Sequence, residues 1–542
     1  MNIFAYKHFN LLYFSGCFVA LFLIYFSAHE AMLIDDGISG IWEIKMGGWY
    51  GYLRSFGFEN FYYGHYGIVA VLYTLFGLHS LGWYIYFVAM HAVNCTLLFL
   101  VCRKIFSNTT TDIQSSLMAL FSSLFFLISP YQSENIIWAA TSHYCVSLFV
   151  LLLSILWLIK KMEGNNLFSF ILLHLLFLLS LVTLEISFLF PLVLLAVYIL
   201  YRCINKSKLA LSDYCLKILL PQAILVFIYC LFHKILFQTW IPHDRASHDT
   251  VFSFSHAVTT LTQQMVKLFG FVHFLDYSKR ESIYQSLLHW KKVLLVLAFI
   301  FTAISFILYK KKKDNFYTAL FFMLSALLMY APFMRLYFMY LSRLENDRYN
   351  YFASAFLFSL FIFLLFQLHK SIRYTIIVFY LSAFSLCLFP VVSARKHSAR
   401  MHKQYLSQLP VDSTPGTIYL LNVPASCKDA YMFRAKYRIG IAYQTIYNKD
   451  IFAKINQIAW HNAQGENDIL EVKKVSDSSF HVQLKTNGSW WMEQSIGASN
   501  KENDTYKFEL DAWGGYLLTF KKRPEMQDKI LLYSNGKFVT VK

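Results

Sequence analysis

The run SHYCVSLFVLLLSILWLIKK, from Ser142 to Lys161, decides what kind of chain this is. From Ser142 to Ile159 it holds no Asp, Glu, Lys or Arg, and Lys160-Lys161 then close it. A helix of that length covers about 27 Å, near the ~30 Å thickness of a bilayer's hydrocarbon core. Comparable apolar runs fall at 11–28, 82–102, 115–129, 167–183, 187–201, 215–233, 292–309, 316–334, 352–368 and 374–391. Together they predict a polytopic α-helical membrane protein of about 11 spans. Several runs are short, so some spans are expected to be thin or packed against protein.

Composition agrees with that reading. Of 542 residues, 57% are hydrophobic and 15% charged, with a mean hydropathy of +0.45. Soluble domains average about 45–50% apolar and about 25% charged, so an ordinary soluble enzyme is excluded. The net charge of +17 does not point to nucleic acid. Its cations punctuate the apolar runs at Arg103-Lys104, Lys160-Lys161, Arg202 with Lys206 and Lys208, Lys310 to Lys313, and Lys370 with Arg373. That is the pattern of the positive-inside bias.

The first apolar run lacks a small-residue cleavage site and reads as an uncleaved span. With Met1 in the cytoplasm, every basic cluster falls on the cytoplasmic side of a bacterial inner membrane. The loops holding Asp35, Glu134, Glu185, His243 and Arg348 then face outward. This topology counts 167–183 and 187–201 as two short spans and not one long helix.

Near residue 392 the composition shifts. Residues 392–542 carry 21 Lys and Arg against 14 Asp and Glu, a net of +7, with no run long enough to span. Short β-rich runs recur at Thr417–Val423, Ile469–Val475, Phe480–Lys485, Tyr506–Leu510, Tyr516–Phe520, Ile530–Tyr533 and Phe538–Val541. Asn535-Gly536 between the last two is the preferred pair for a two-residue hairpin turn, and Asn487-Gly488 offers a weaker one. The expected organisation is a transmembrane domain over 1–391 and a small, mostly β extracytoplasmic domain over 392–542. Eight of the nine cysteines lie in or beside apolar segments, so no disulfide framework is expected in the tail.

Candidate chemistry sits in the outward loops. The first, 29–81, carries Asp35-Asp36 among aromatics such as Trp42, Trp49, Tyr50 and Tyr52, which suit a helix lying at the membrane interface. Adjacent helical residues point about 100° apart, so the two carboxylates are expected to serve different roles, and a helix cap is the plain alternative. Glu134 follows Pro130, which ends the preceding span. Glu185 lies between apolar runs, where a carboxylate is functional, paired or a cap for the helix near Ser187. Arg343, Arg348 and Tyr349 precede the tenth span; a cap by Asn346 or Asp347 would put Arg348 in its first turn, where N–H groups and a guanidinium suit phosphate. His243 and Arg245 lie in a loop whose HxxxxH spacing matches no strong zinc pattern and reads first as solvated. No Walker loop, dinucleotide fingerprint, zinc-protease motif or nucleophile elbow occurs.

The order of these features resembles the GT-C superfamily of membrane glycosyltransferases. The likeness is to the bacterial branch related to protein O-mannosyltransferases and to tetratricopeptide-bearing transmembrane O-mannosyltransferases. It rests on an acidic pair after span one, an aromatic interfacial helix, Pro130…Glu134…Trp138, Leu184-Glu185 between short spans, and Arg348-Tyr349-x-Tyr351, and covers residues 1–391. Leu184 replaces the Lys often found before the acid, His143 stands where relatives often carry Arg, and the tail is no tetratricopeptide array.

The resemblance implies transfer of a sugar from a polyprenyl-phosphate donor to a glycan, glycolipid or protein acceptor at the outer face of the membrane, among membrane lipids. It implies a base at Asp35 or Asp36, with Asp36 slightly preferred, since nothing in the sequence fixes the helical phase. Glu134 would orient the acceptor or the base, and Arg348 would hold the phosphate. A divalent cation takes part in some family members and not in others. The competing classes are a lipid-linked glycan flippase, which predicts charges lining a path through the spans, and an inactive scaffold.

Overall fold

The computed structural model describes residues 8–54, 61–164, 170–204, 206–241, 254–275, 279, 282–283, 286, 312–335, 344–428, 430–493, 496–511 and 514–541. The chain is mostly helical, with a small β region at its C-terminal end.

Among the described residues, eight helices are long and apolar enough to cross a membrane: Phe9–Leu33, Ser80–Phe106, Ala139–Met162, Glu185–Cys203, Leu211–Phe237, Lys313–Met334, Asp347–Leu365 and Lys370–Gln408. The expected span at 115–129 forms Asp112–Ile128, bent by 59° from the next segment, Pro130–Ile137. Pro130 causes the break, because it has no N–H to continue the ladder and disfavours helix at Ser129, which is extended. The expected span at 167–183 appears as the shorter helix Phe170–Leu181. The one at 292–309 lies outside the described residues.

The segment around Glu185 is two helices. Phe170 starts beside Lys161, whose ammonium lies 4.7 Å from the Phe170 ring centroid. The chain turns at Thr183–Leu184 and returns to Lys206, which bonds Asn108 at 2.9 Å. Further contacts collect the basic loops at the same end of the bundle: Lys104 meets Glu163 at 3.1 Å, and Lys312 meets the Thr109 carbonyl at 2.8 Å. Asp35, Glu134 and Glu185 lie at the opposite end. The helix Ser142–Met162 separates the two ends by about 30 Å.

The change in composition near 392 falls inside one unbroken helix. Lys370–Gln408 runs 39 residues, about 58 Å, which is nearly twice the hydrocarbon thickness. Its last turns pack on the β region. The Tyr405 hydroxyl donates to the Asn422 carbonyl (3.2 Å), and Gln404 Nε2 donates to the Gly536 carbonyl (2.9 Å). The β region is therefore joined to the bundle by a continuous helix and not by a loop.

Among the described residues, the strands of that region form three sheets. The first orders β14 (Lys537–Thr540), β13 (Lys529–Ser534), β1 (Ile418–Leu420) and β4 (Ile455–Gln457). The second orders β10 (Lys501–Glu502), β11 (Tyr506–Leu510), β12 (Gly515–Phe520), β7 (Ser479–Leu484) and β6 (Leu470–Lys474). The third orders β3 (Ala430–Tyr431), β2 (Val423–Cys427), β5 (Trp460–Ala463), β8 (Trp490–Glu493) and β9 (Ile496–Gly497). Asn535 and Gly536 take φ of 48° and 72° and close the antiparallel pair β13–β14, as the sequence predicts. Asn487-Gly488 is also a turn, but it joins β7 and β8 of different sheets. The run Thr417–Val423 splits between β1 and β2, because β1 pairs in parallel with β13 and β4 while β2 enters another sheet. The helix Arg438–Tyr447 has no counterpart among the sequence expectations.

Candidate functional site

The acidic pair sits where the first long helix gives way to the next. A 3₁₀ stretch, Phe26–Leu33, ends in extended Ile34, and Asp35 then takes φ +49°, a left-handed conformation that Asp tolerates better than most residues. Helix resumes at Asp36 and continues to Arg54 with a break at Gly48, whose φ is +66°. Because Asp35 lies outside the helix, the expected 100° divergence does not arise. Both carboxylates face the same two guanidiniums.

Those guanidiniums come from the β region, Arg438 at the start of the helix Arg438–Tyr447 and Arg434 four residues before it. The Arg434 backbone N–H donates to Asp35 Oδ1 at 3.1 Å, and Arg434 Nε lies 3.7 Å from Asp35 Oδ2. Arg438 Nε is 3.7 Å from Asp35 Oδ1. Asp36 takes the closer pairings, with Arg434 Nη2 on Oδ2 and Arg438 Nη2 on Oδ1. The surrounding interface is extensive: Trp42 Nε1 donates to Gln444 Oε1 (2.6 Å) and Lys45 to the Thr445 carbonyl (2.8 Å). The aromatic helix of the first loop is thus clamped by the C-terminal region.

This geometry splits the pair. Burial, followed by the neighbouring charge of Asp36, raises the Asp35 carboxyl above the ordinary aspartate range and outweighs Arg434 and Arg438. Burial pushes Asp36 the same way, but Arg434 and Arg438, with help from Arg348, overcome it and hold Asp36 low. The Asp35 side chain is fully buried, and its Oδ2 accepts no hydrogen bond; the Asp36 side chain is 18% exposed.

Glu134 lies in the short helix Ser133–Ile137, fully buried. Its Oε2 accepts the Arg348 backbone N–H at 2.8 Å, and its Oε1 pairs with the Arg348 guanidinium. Arg348 Nη2 also donates to the Tyr349 hydroxyl at 3.0 Å. Two sequence expectations change here. Arg348 is in a 3₁₀ segment, Leu344–Asn350, before the helix Tyr351–Leu365, and its N–H is taken by Glu134. Neither Asn346 nor Asp347 is the cap: the N-cap is Asn350, and buried Asp347 pairs with buried Lys267 at 2.5 Å.

Trp138 joins the two carboxylate–guanidinium groups. Its Nε1 donates to the Ile34 carbonyl (3.1 Å), its ring lies 5.0 Å from Tyr431, and the Arg348 guanidinium stands 5.7 Å over it. The Tyr431 hydroxyl in turn accepts from Arg434 at 3.2 Å.

Glu185 forms a third corner. It does not cap a helix; the N-cap is Leu184, and the Tyr62 hydroxyl lies 2.8 and 3.0 Å from the Glu185 carboxylate oxygens. Burial first, then the Glu185 charge, keeps the Tyr62 phenol protonated, so it is the donor. His143 stacks on Tyr62 at 5.8 Å and meets His65 edge-on at 4.7 Å. Burial pushes His65 down to about 4, so its imidazole is neutral, and its Nδ1 lies 2.7 Å from the Ser142 hydroxyl.

Of the sequence candidates, Asp35, Asp36, Glu134, Glu185, His143, Arg348 and Tyr349 therefore collect at one end of the bundle. His243, Arg245 and Arg343 lie outside the described residues. Sequence reasoning missed Arg434, Arg438 and Tyr431. Two arginines four residues apart in Arg434-Ala435-Lys436-Tyr437-Arg438 are the signal that could have found them. It also missed Arg395, a fully buried arginine on Lys370–Gln408 whose charge acts on Glu134 and whose Nε and Nη2 have no hydrogen-bond partner.

Among the described residues no three His, Cys, Asp or Glu side chains are grouped to hold a metal ion. The carboxylate pair is already opposed by two cations, so these donors do not fit a divalent cation. Chemically, the site offers a carboxyl of raised proton affinity beside several guanidiniums. No protein-family model and no curated protein matches the chain.

Proposed function

We propose that the chain is an integral-membrane glycosyltransferase of the GT-C type, moving a sugar from a polyprenyl-phosphate donor to a hydroxyl acceptor at the outer face of the cytoplasmic membrane. The observation that carries this reading is the split aspartate pair, set among arginines at the end of the bundle opposite the basic loops. Group transfer from a phosphate needs a proton acceptor for the incoming hydroxyl and positive charge for the departing phosphate.

The acceptor O–H gives its proton to Asp35 as its oxygen bonds to the anomeric carbon. The bond from that carbon to the phosphate oxygen breaks, and the lipid phosphate leaves with the electron pair. Asp35 suits the base better than Asp36: its carboxyl holds a proton more tightly, and Oδ2 accepts no hydrogen bond. Asp36, held low by two guanidiniums, positions Arg434 and Arg438. Arg348, shared with Glu134, and Arg395, whose charge also acts on Glu134, supply charge for the phosphate. No step runs through a metal ion.

A flippase would need charges distributed along the spans. The acids and arginines gathered at one end favour transfer. The direct test is the purified protein incubated with a polyprenyl-phosphate sugar and envelope glycolipids, with products read by mass spectrometry. A glycosylated product is expected; donor that is translocated across proteoliposomes but never consumed would replace the transferase reading with the flippase.

The proposed orientation has its own test. A reporter active only in the cytoplasm, fused after Lys542, should be silent. A bright signal would put the acidic pair on the wrong side for an extracytoplasmic donor.

A further inference from the structure

A cavity of about 400 Å³, within the usual size range of small-ligand sites, opens where the three sheets of the β region meet. The first sheet contributes Asn456 and Gln457 from β4, and the third contributes Trp460 from β5. The second contributes Tyr506 from β11, with Asn503 and Thr505 from the link between β10 and β11. Two wall residues carry a polar atom that the fold leaves unsatisfied. Trp460 is only 7% exposed, yet its buried indole N–H has no acceptor. Gln457 Oε1 is likewise buried and has no donor. A buried indole N–H normally finds a partner, and leaving either group unpaired is costly.

The two orphaned groups are of opposite kind, and that selects the ligand. The indole N–H only donates, and the carboxamide oxygen only accepts. A carboxylate or phosphate oxygen would accept from Trp460 but would meet Gln457 Oε1 lone pair to lone pair. An ammonium would donate to Gln457 but offers nothing to Trp460. A hydroxyl both accepts and donates, so hydroxyls on one ligand answer both groups. The Asn456 and Asn503 carboxamides and the Thr505 hydroxyl suit further hydroxyls in the same way. The cations on the wall do not alter this choice. Arg434 already faces Asp35 and Asp36, and the Lys501 ammonium lies over the Trp460 and Phe508 rings at 5.2 and 5.3 Å.

We infer that this cavity is a binding site for an uncharged saccharide. A sugar presents several hydroxyls at fixed spacing on a stiff ring, so it satisfies both orphaned groups at little cost in ligand freedom. The site is independent of the proposed transfer, in which neither Trp460 nor Gln457 takes part.

The test uses the full-length protein in nanodiscs, titrated calorimetrically with maltotriose, mannotriose, N-acetylchitotriose, trigalacturonate and triglycine. At least one of the three uncharged sugars should bind, and more tightly than trigalacturonate or triglycine. Its affinity should fall several-fold in Gln457→Met, which keeps the side-chain length and removes the acceptor. Trp460→Phe keeps an aromatic ring, removes the N–H and should weaken binding to a similar degree. The double variant should lose about tenfold or more. Lys436→Gln, at an exposed position on the wall, should leave the affinity unchanged. Thermal melts accompany each titration. Gln457→Met removes an unpaired polar atom and no hydrogen bond to Oε1, so it should melt no lower than the parent. A parent that binds none of the three sugars, tighter binding of trigalacturonate or triglycine, or unchanged affinity in the double variant would each overturn the inference. So would a Gln457→Met variant that melts well below the parent, since Oε1 would then be paired within the fold. Sugar binding without transferase activity removes only the proposed reaction, and transferase activity without sugar binding here removes only this site.

Discussion

Asp35→Asn should lower sugar transfer by about 10²–10⁴-fold, the usual worth of a general base, with the fold and donor binding retained. Asn keeps the shape of the side chain and removes proton acceptance. The fold should survive because of the direction of the shift. A carboxyl whose proton affinity is raised by folding subtracts from stability when it is ionised, above its ordinary range. The neutral Asn removes that penalty, so the variant should melt no lower than the parent. Asp36 has the opposite sign. Its carboxyl is held low in the folded protein, so the stability it contributes is present above the ordinary aspartate range and lost as pH falls through its lower folded value. Asp36→Asn should therefore melt lower at neutral pH and show the smaller loss of transfer. In the parent, kcat/KM should fall on the acid side at a pH above the usual carboxylate range, as Asp35 takes up its proton. A larger transfer loss in Asp36→Asn would exchange the two roles. Near-normal transfer by both variants would remove the pair from the chemistry and leave Glu134 as the next candidate.

Sequence alone carried the helical bundle because transmembrane helices declare themselves: Ser142–Ile159 can satisfy its backbone in lipid only as a helix, and Lys160-Lys161 marks its end. The same logic exposed Glu134, Glu185 and Arg348, since charge beside apolar sequence needs a reason. What it could not carry was contact across long chain separations. Nothing near Asp35 in the sequence announces that its partners lie some four hundred residues later, at Arg434 and Arg438. The helical-phase argument for the two aspartates failed for a local reason, the left-handed Asp35, which no periodicity encodes. The β region was legible as strands and as one hairpin, because β13–β14 is local. Its parallel pairings, β1 with β13 and β4 and β2 with β5, join distant segments and were not. The domain edge suffered likewise: polarity changes near 392, while the helix continues to Gln408 because its later turns find a new partner in the β region.

Arg348→Ala should destabilise the protein by about 3–5 kcal/mol, the cost of removing one partner of a buried ion pair. Glu134 is fully buried and the Arg348 side chain is 14% exposed, so the alanine variant leaves a carboxylate in a dry site with only the Arg348 backbone N–H still donating to it. Arg395 nearby offsets part of that charge, which places the expectation toward the lower end of the range. Arg348→Lys keeps the charge but loses the planar fork that reaches both Glu134 and Tyr349, so it should cost less than alanine and still weaken donor binding. The informative companion is the double variant Glu134→Met/Arg348→Met. Replacing both ends of a buried pair with apolar groups of similar size is often neutral for stability, so this variant should melt near the parent. It should nevertheless lose transfer, because the cation meant for the departing phosphate is gone. Thermal melts in detergent for the parent, Arg348→Ala, Glu134→Gln and the double variant separate the two contributions, and transfer assays on the same samples assign the function. An alanine variant that melts and turns over like the parent would mean that Arg348 is a lipid anchor outside the chemistry. A double variant that melts normally and still transfers sugar would confine the pair to structure and move phosphate recognition to Arg395.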